Sequence, residues 1–171
     1  MKALRRAIHR RARRAGGASV PGLNRAMPLH LIKLCVGADS IRDMEEWVAE
    51  KLAVKRAAGE KVEQTHRTRM VPRRMAELLD GGSLYWVIKG QVAARQEILD
   101  IRPFVDNEGV SRCHIVLEPT LVPVHPRPRR PFQGWRYLVV HEAPKDLTAG
   151  AGALAEMPES LRRELSELGL L

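Results

Sequence analysis

The chain has 171 residues, 44% hydrophobic and 29% charged, with 29 Lys and Arg against 20 Asp and Glu, a net charge of +9. That length suits one domain with a real core, and that composition excludes a disordered polyelectrolyte. No run approaches the roughly 18 apolar residues a membrane-spanning helix needs, and no apolar stretch near the N-terminus reads as a secretory signal.

The charge is unevenly placed. Residues 1–26 carry Lys2, Arg5, Arg6, Arg10, Arg11, Arg13, Arg14 and Arg25 and no acid, so residues 27–171 hold 21 cations against 20 acids. A nearly neutral body follows a cationic arm. Two readings of the arm stay open: a segment that grips phosphates or anionic lipid, or an extension outside a native domain that starts at Met27. Cys35 and Cys113 are the two cysteines, and without a secretory signal two free thiols in a cytoplasmic protein are expected.

In chain order, residues 28–36 read as a strand ended by Gly37, with Ile32, Leu34 and Val36 on one face. Ser40 and Asp43 predict a helix start, and Ile41, Met44, Val48 and Leu52 form its apolar stripe beside Trp47. Acids early and Lys51, Lys55 and Arg56 late complement the helix dipole, and Gly59 is the expected stop. Residues 65–71 read as a short strand. Pro72 opens a short helix with Met75, Leu78 and Leu79, closed by Gly81-Gly82.

Residues 83–89, aromatic and β-branched, form the clearest strand. Residues 97–104 and 110–118 predict a hairpin around the turn at 106–109, with Cys113, Ile115 and Leu117 on one face. Pro119, Pro123, Pro126, Pro128 and Pro131 predict an extended edge segment. Residues 132–140 return to strand. A small-residue linker from 148 leads to a helix with Leu161, Leu165 and Leu168 in line, capped by Gly169. The fold expected is α+β, a mostly antiparallel, curved or barrel-like sheet with flanking helices, divided as arm 1–26, domain 27–147 and tail 148–171.

Two acid-free stretches carry the functional expectation. One holds His66, Arg67, Arg69, Arg73 and Arg74; the other holds His125, Arg127, Arg129, Arg130 and Arg136. Brought together, they would offer a basic face to RNA phosphates, with Trp86 and Trp135 as stacking surfaces and Gln133 reading a base edge. Large aromatics chiefly supply core area, so the competing reading buries both tryptophans. Two alternatives accompany this non-catalytic RNA-binding module. One is a protein-interaction factor docking through the C-terminal leucine stripe. The other is an enzyme acting on a nucleotide-like ligand where Lys89, Arg95 and Gln133 converge.

No metal or cofactor is expected. His30 and Cys35 point to opposite faces of one strand, as do Cys113 and His114 of another, and there is no C-x-x-C pair.

The segments MPLHLIKLCVGADSIRDMEEW, TRMVPRRMAELLDGGSLYWVIKGQVAARQEILDIRPF, RCHIVLEP and RPFQGWRYL resemble an uncharacterised bacterial family known only as a domain of unknown function. The resemblance covers about residues 27–147. It implies small cytoplasmic proteins with no assigned activity, beginning at the equivalent of Met27. A weaker similarity, in the order of elements around Gly81-Gly82, the Trp86 strand and the later hairpin, is to PUA-like domains such as ASCH and EVE. It implies RNA or modified-base binding near Trp86, Lys89 and residues 133–137.

Overall fold

The computed structural model of the protein describes residues 27–147 and 157–168. The expected basic arm and small-residue linker lie outside the described residues. The elements are β1 (His30–Leu34), α1 (Ile41–Ala57), β2 (Gln64–Thr68), α2 (Met75–Leu79), β3 (Ser83–Ile88), β4 (Gln91–Val105), β5 (Ser111–Leu117), β6 (Val122–Pro128), β7 (Trp135–Leu138), a 3₁₀ turn (Val140–Glu142) and α3 (Glu159–Glu167).

Local chemistry explains the helix ends. Ser40 sits in extended backbone, and its hydroxyl accepts from the Asp43 amide at 3.1 Å. The Asp43 carboxylate accepts from the Asp39 amide at 3.1 Å, one residue earlier than a capping box requires. Ile41, Met44 and Val48 are buried as the stripe predicts. Between β3 and β4, Lys89 and Gly90 both have positive φ, 48° and 79°. Two such residues match the twist of a tight hairpin, so the β3–β4 loop is only two residues long.

The strands form one seven-stranded mixed sheet in the order β2-β5-β4-β3-β1-β7, with β6 also paired to β4. The β1–β3 pair is parallel and the other pairs are antiparallel. The long β4 makes this possible: residues 91–97 pair with β3, and residues 98–105 run on to pair with β5. The fold is therefore α+β. The sheet does not close into a barrel, which corrects the barrel-like expectation.

Both faces of the central strands are covered. On one face α1 and α2 bring Ile41, Met44, Val48 and Leu78 onto Leu31, Leu84, Trp86 and Ile88. On the other, Ile32, Tyr85, Val87, Val92, Val124 and Leu138 pack together with Phe132 and Ala143. All six residues of β3 are therefore buried. The second face is crossed by a strap, residues 139–147, which leaves β7 and ends against β6. Val124 and Asp146 form an antiparallel bridge, the His125 amide donates to the Lys145 carbonyl at 2.9 Å, and the Leu147 amide donates to the Pro123 carbonyl at 3.0 Å.

Leu161 and Leu168 of the C-terminal stripe are exposed. The Arg163 guanidinium ties α3 to the Lys89 carbonyl at 2.9 Å. No described helix is long and apolar enough to cross a membrane.

Candidate functional site

Beneath the strap lies an open cleft of about 780 Å³. Its floor is built by strand register. Tyr85 of β3 stands opposite Arg95 of β4, so both project toward the strap. Arg95 reaches Asp146 of the strap through two parallel hydrogen bonds, each 2.7 Å, and gives a third to the Ser83 hydroxyl at 3.1 Å. This bidentate fork fixes the strap over the sheet and aims the guanidinium plane. It also holds the Asp146 carboxyl below the usual carboxylate range.

His30 closes the floor. Its Nδ1 accepts from the Ser83 amide at 3.0 Å, so the neutral ring carries its hydrogen on Nε2. Burial, reinforced by the Arg95 charge, pushes its pKa down. The ring meets Tyr85 edge-on, centroids 5.2 Å apart. Burial pushes the Tyr85 phenol up, so it remains protonated at neutral pH. At the mouth stand His125 and Arg127 of β6 with His141 and Lys145 of the strap. Arg95, Arg127 and Lys145 face one acid, Asp146, so the lining is net cationic. Its chemistry suits an anion at the mouth and a hydrogen-bonding, flat group on the floor.

The residues singled out from sequence fall in several places. Arg67 is exposed on β2. Arg69, Arg73 and Arg74 lie on the loop from β2 to α2, which is pinned to β7. The Tyr137 hydroxyl accepts from the Arg73 and Arg74 amides at 3.0 and 3.2 Å, and the Trp135 indole donates to the Met70 carbonyl at 3.0 Å. The Arg74 guanidinium is engaged by Glu77 at 2.7 Å and lies 5.6 Å from the Tyr137 ring centre. The two arginine stretches therefore meet at β7. They do not share one face: Trp135 packs on the helix-covered side, whereas Arg136 lies over the Phe132 ring, 5.0 Å away, on the strap side.

Trp86 and Trp135 are only 4% and 5% exposed, which corrects the expectation that either offers an open stacking face. Trp86 donates its indole N–H to Gln96 at 3.0 Å and is part of the core. Lys89 sits at the β3–β4 turn, ion-paired to Asp39 at 3.1 Å. Arg130 and Gln133 are exposed on the loop before β7. The cleft that Arg95 lines includes neither Lys89 nor Gln133, so those three do not form one site.

His30, Tyr85 and Asp146 were not legible as site residues. Arg95 and Asp146 are 51 positions apart, and no local spacing signals such a pair. The sequence hints were Arg95, singled out for a different convergence, and the acid-free run containing His125 and Arg127.

A second, half-buried imidazole lies on the opposite face. His66 has its Nε2 buried with no hydrogen-bond partner, and its ring stands edge-on to Trp86 at 5.6 Å. Burial first, then the charges of Lys33 and Lys51, push its pKa down to about 4. An unfolded chain holds this proton more tightly, near the ordinary value of about 6.5. Stability from neutral His66 is thus complete above that value and is lost as pH falls toward 4. His66→Leu is expected to shrink the loss of stability between about pH 7 and about pH 4.5 by roughly 2 kcal/mol, a figure discounted for partial exposure. Urea unfolding at both pH values checks this; an unchanged acid loss would contradict it.

The family model described as Protein of unknown function (DUF1489) matches residues 31–171. No curated protein and no solved structure matches the chain. The family match covers most of the chain, from β1 through the C-terminal helix, so this chain belongs to the DUF1489 family.

Proposed function

We propose that this domain is a binding module for a nucleotide, taken either free or as a unit of single-stranded RNA. The observation that carries the reading is the cationic strap cleft with its Arg95–Asp146 fork. Arg127 and Lys145 at the mouth supply the phosphate contacts, being a fork donor and a point charge respectively. Asp146, on the strap, keeps acceptor capacity for a base N–H or a ribose hydroxyl. The cleft volume falls within the range of small-molecule sites. For a strand, the exposed Arg136 on β7, which leads directly into the strap, extends the phosphate contacts outward.

The test is titration of the protein with a labelled uridine decamer and, separately, with mononucleotides, from about 50 to about 300 mM salt. Binding is expected to weaken steeply with salt. The double variant Arg127→Gln, Lys145→Gln is expected to lose about tenfold in affinity and to flatten the log–log salt slope by about 1–2. Mononucleotide binding without gain from the decamer would identify a free nucleotide as ligand; a large gain would identify RNA. Salt-independent binding, or a double variant that binds like the parent, would sink the reading.

A further inference from the structure

The helix-covered face holds a second cavity, of about 260 Å³, which shares no lining residue with the strap cleft. Trp86 of β3, Met44 and Trp47 of α1, and the loop from Cys35 to Ala38 enclose it. Its walls are thus mainly apolar. Two polar side chains enter it, Lys33 and His66.

Lys33 is there by strand parity. Leu31 of β1 belongs to the helix-covered core, so Lys33, two residues on, projects to the same face beside Trp86. Alternation that elsewhere supplies a core residue here supplies an ammonium. It is partly buried, and among the described residues no carboxylate pairs with it. Burial lowers its pKa, and burial also raises that of the neighbouring Cys35 thiol. The His66 Nε2, also without a partner, adds a neutral hydrogen-bonding group. Outside the wall, the Lys51 ammonium lies 3.6 Å from the centre of the Trp47 ring. Cations therefore border an apolar cavity that no acidic side chain lines.

Partly desolvating an unpaired ammonium costs free energy that an anionic partner would return. Metal chemistry does not fit, since the thiol is neutral and no group of three or more metal-ligating side chains occurs among the described residues. At liquid density, about 30 Å³ per water-sized group, the volume admits roughly ten non-hydrogen atoms.

We infer that this cavity binds a small organic carboxylate. The apolar body lies against Trp86, Trp47 and Met44, and the carboxylate pairs with the Lys33 ammonium and accepts from the His66 N–H. This site does not depend on the nucleotide reading of the strap cleft, because the two lie on opposite faces of the sheet.

The test uses three probes of one shape: phenylacetate, 2-phenylethanol and phenethylamine, titrated into ¹⁵N-labelled protein and followed by NMR. Phenylacetate is expected to shift the Trp47 and Trp86 indole N–H signals saturably. It should bind at least about fivefold more tightly than the alcohol, as a charge-assisted hydrogen bond predicts, and the amine should bind weakest. Lys33→Met is expected to abolish the preference for acid over alcohol. The inference is overturned if acid and alcohol bind alike, if no probe binds at about 10 mM, far weaker than a charge-paired site predicts, or if the shifts centre on Tyr85 and Arg95. A Lys33→Met variant that keeps the acid preference also overturns it. Should that variant fail to fold, the ranking of the three probes on the unaltered protein decides alone.

Discussion

Gly82→Ala is expected to destabilise the domain by ~3 kcal/mol or more, a large fraction of the stability of an ordinary domain. Gly82 follows the turn that ends α2 and enters β3. A Cβ at this position would overlap the carbonyl oxygens of Leu78 and Leu29. Both oxygens are backbone, so neither can rotate away. Nor is the site free to shift: the Gly82 amide donates to Leu78 at 3.0 Å, and its carbonyl accepts from Ile98 at 3.0 Å. Relief would therefore displace α2, the start of β1 and β4 together.

Its neighbour supplies the control. Gly81 has φ +83° and open space where a Cβ would sit. Gly81→Ala carries only the left-handed backbone penalty, about 1–2 kcal/mol. Urea denaturation of both variants checks the order. A Gly82→Ala midpoint equal to or above that of Gly81→Ala would refute the close approach of the three backbones.

Gln96→Leu is the second large effect, expected to cost about 3–5 kcal/mol, the sum of several unmade buried hydrogen bonds. Gln96 is fully buried in β4. Its Oε1 accepts from the Trp86 indole at 3.0 Å, and its amide donates to the Glu118 and Pro119 carbonyls at 2.8 and 3.1 Å. One side chain thus ties β3 to the segment leaving β5. Leucine is larger by roughly one methylene and branched, so part of the loss is repacking, and a double-mutant cycle isolates the polar network. Trp86→Phe added to Gln96→Leu removes the orphaned donor and is expected to recover about 1 kcal/mol relative to additivity. Thermal or urea unfolding of the four proteins in the cycle measures this. Strict additivity would show that the Trp86–Gln96 bond contributes nothing.

The contrast between these sites and the helix caps explains what was readable in advance. Ser40, Asp43 and the stripe of Ile41, Met44 and Val48 act within one or two helical turns, so their spacing is their structure. Cys113, Ile115 and Leu117 are buried on one face, as alternation requires. The prolines of residues 119–131 did mark an extended segment, because a residue without an N–H is tolerated where the ladder needs fewer donors. The beginning of β4 was missed. Residues 91–96 read QVAARQ, weak in β-propensity, yet Ala93 and Ala94 are completely buried. The two-residue turn at Lys89-Gly90 folds them back against β3, and packing there overrides propensity.

The candidate sites divide in the same way. Strand parity, a local property, sets which residues alternate along β1, β3 and β7. Which face of the sheet α1 covers, and which the strap covers, is a long-range choice. Arg73 and Arg136 were grouped by composition, but β7 sends neighbouring side chains to opposite faces, so the proposed basic surface became two. Tyr85, Arg95 and Asp146 acquire a common role only because the strap returns to β6. Lys33 becomes an unpaired cation only because Trp86 and α1 surround it.

What the sequence determined by itself was the set of caps, turns and alternating faces, because those depend on residues a few positions apart. The tertiary structure decided the cleft, the buried tryptophans and the second cavity. Each rests on contacts between residues that neither helical nor strand periodicity connects.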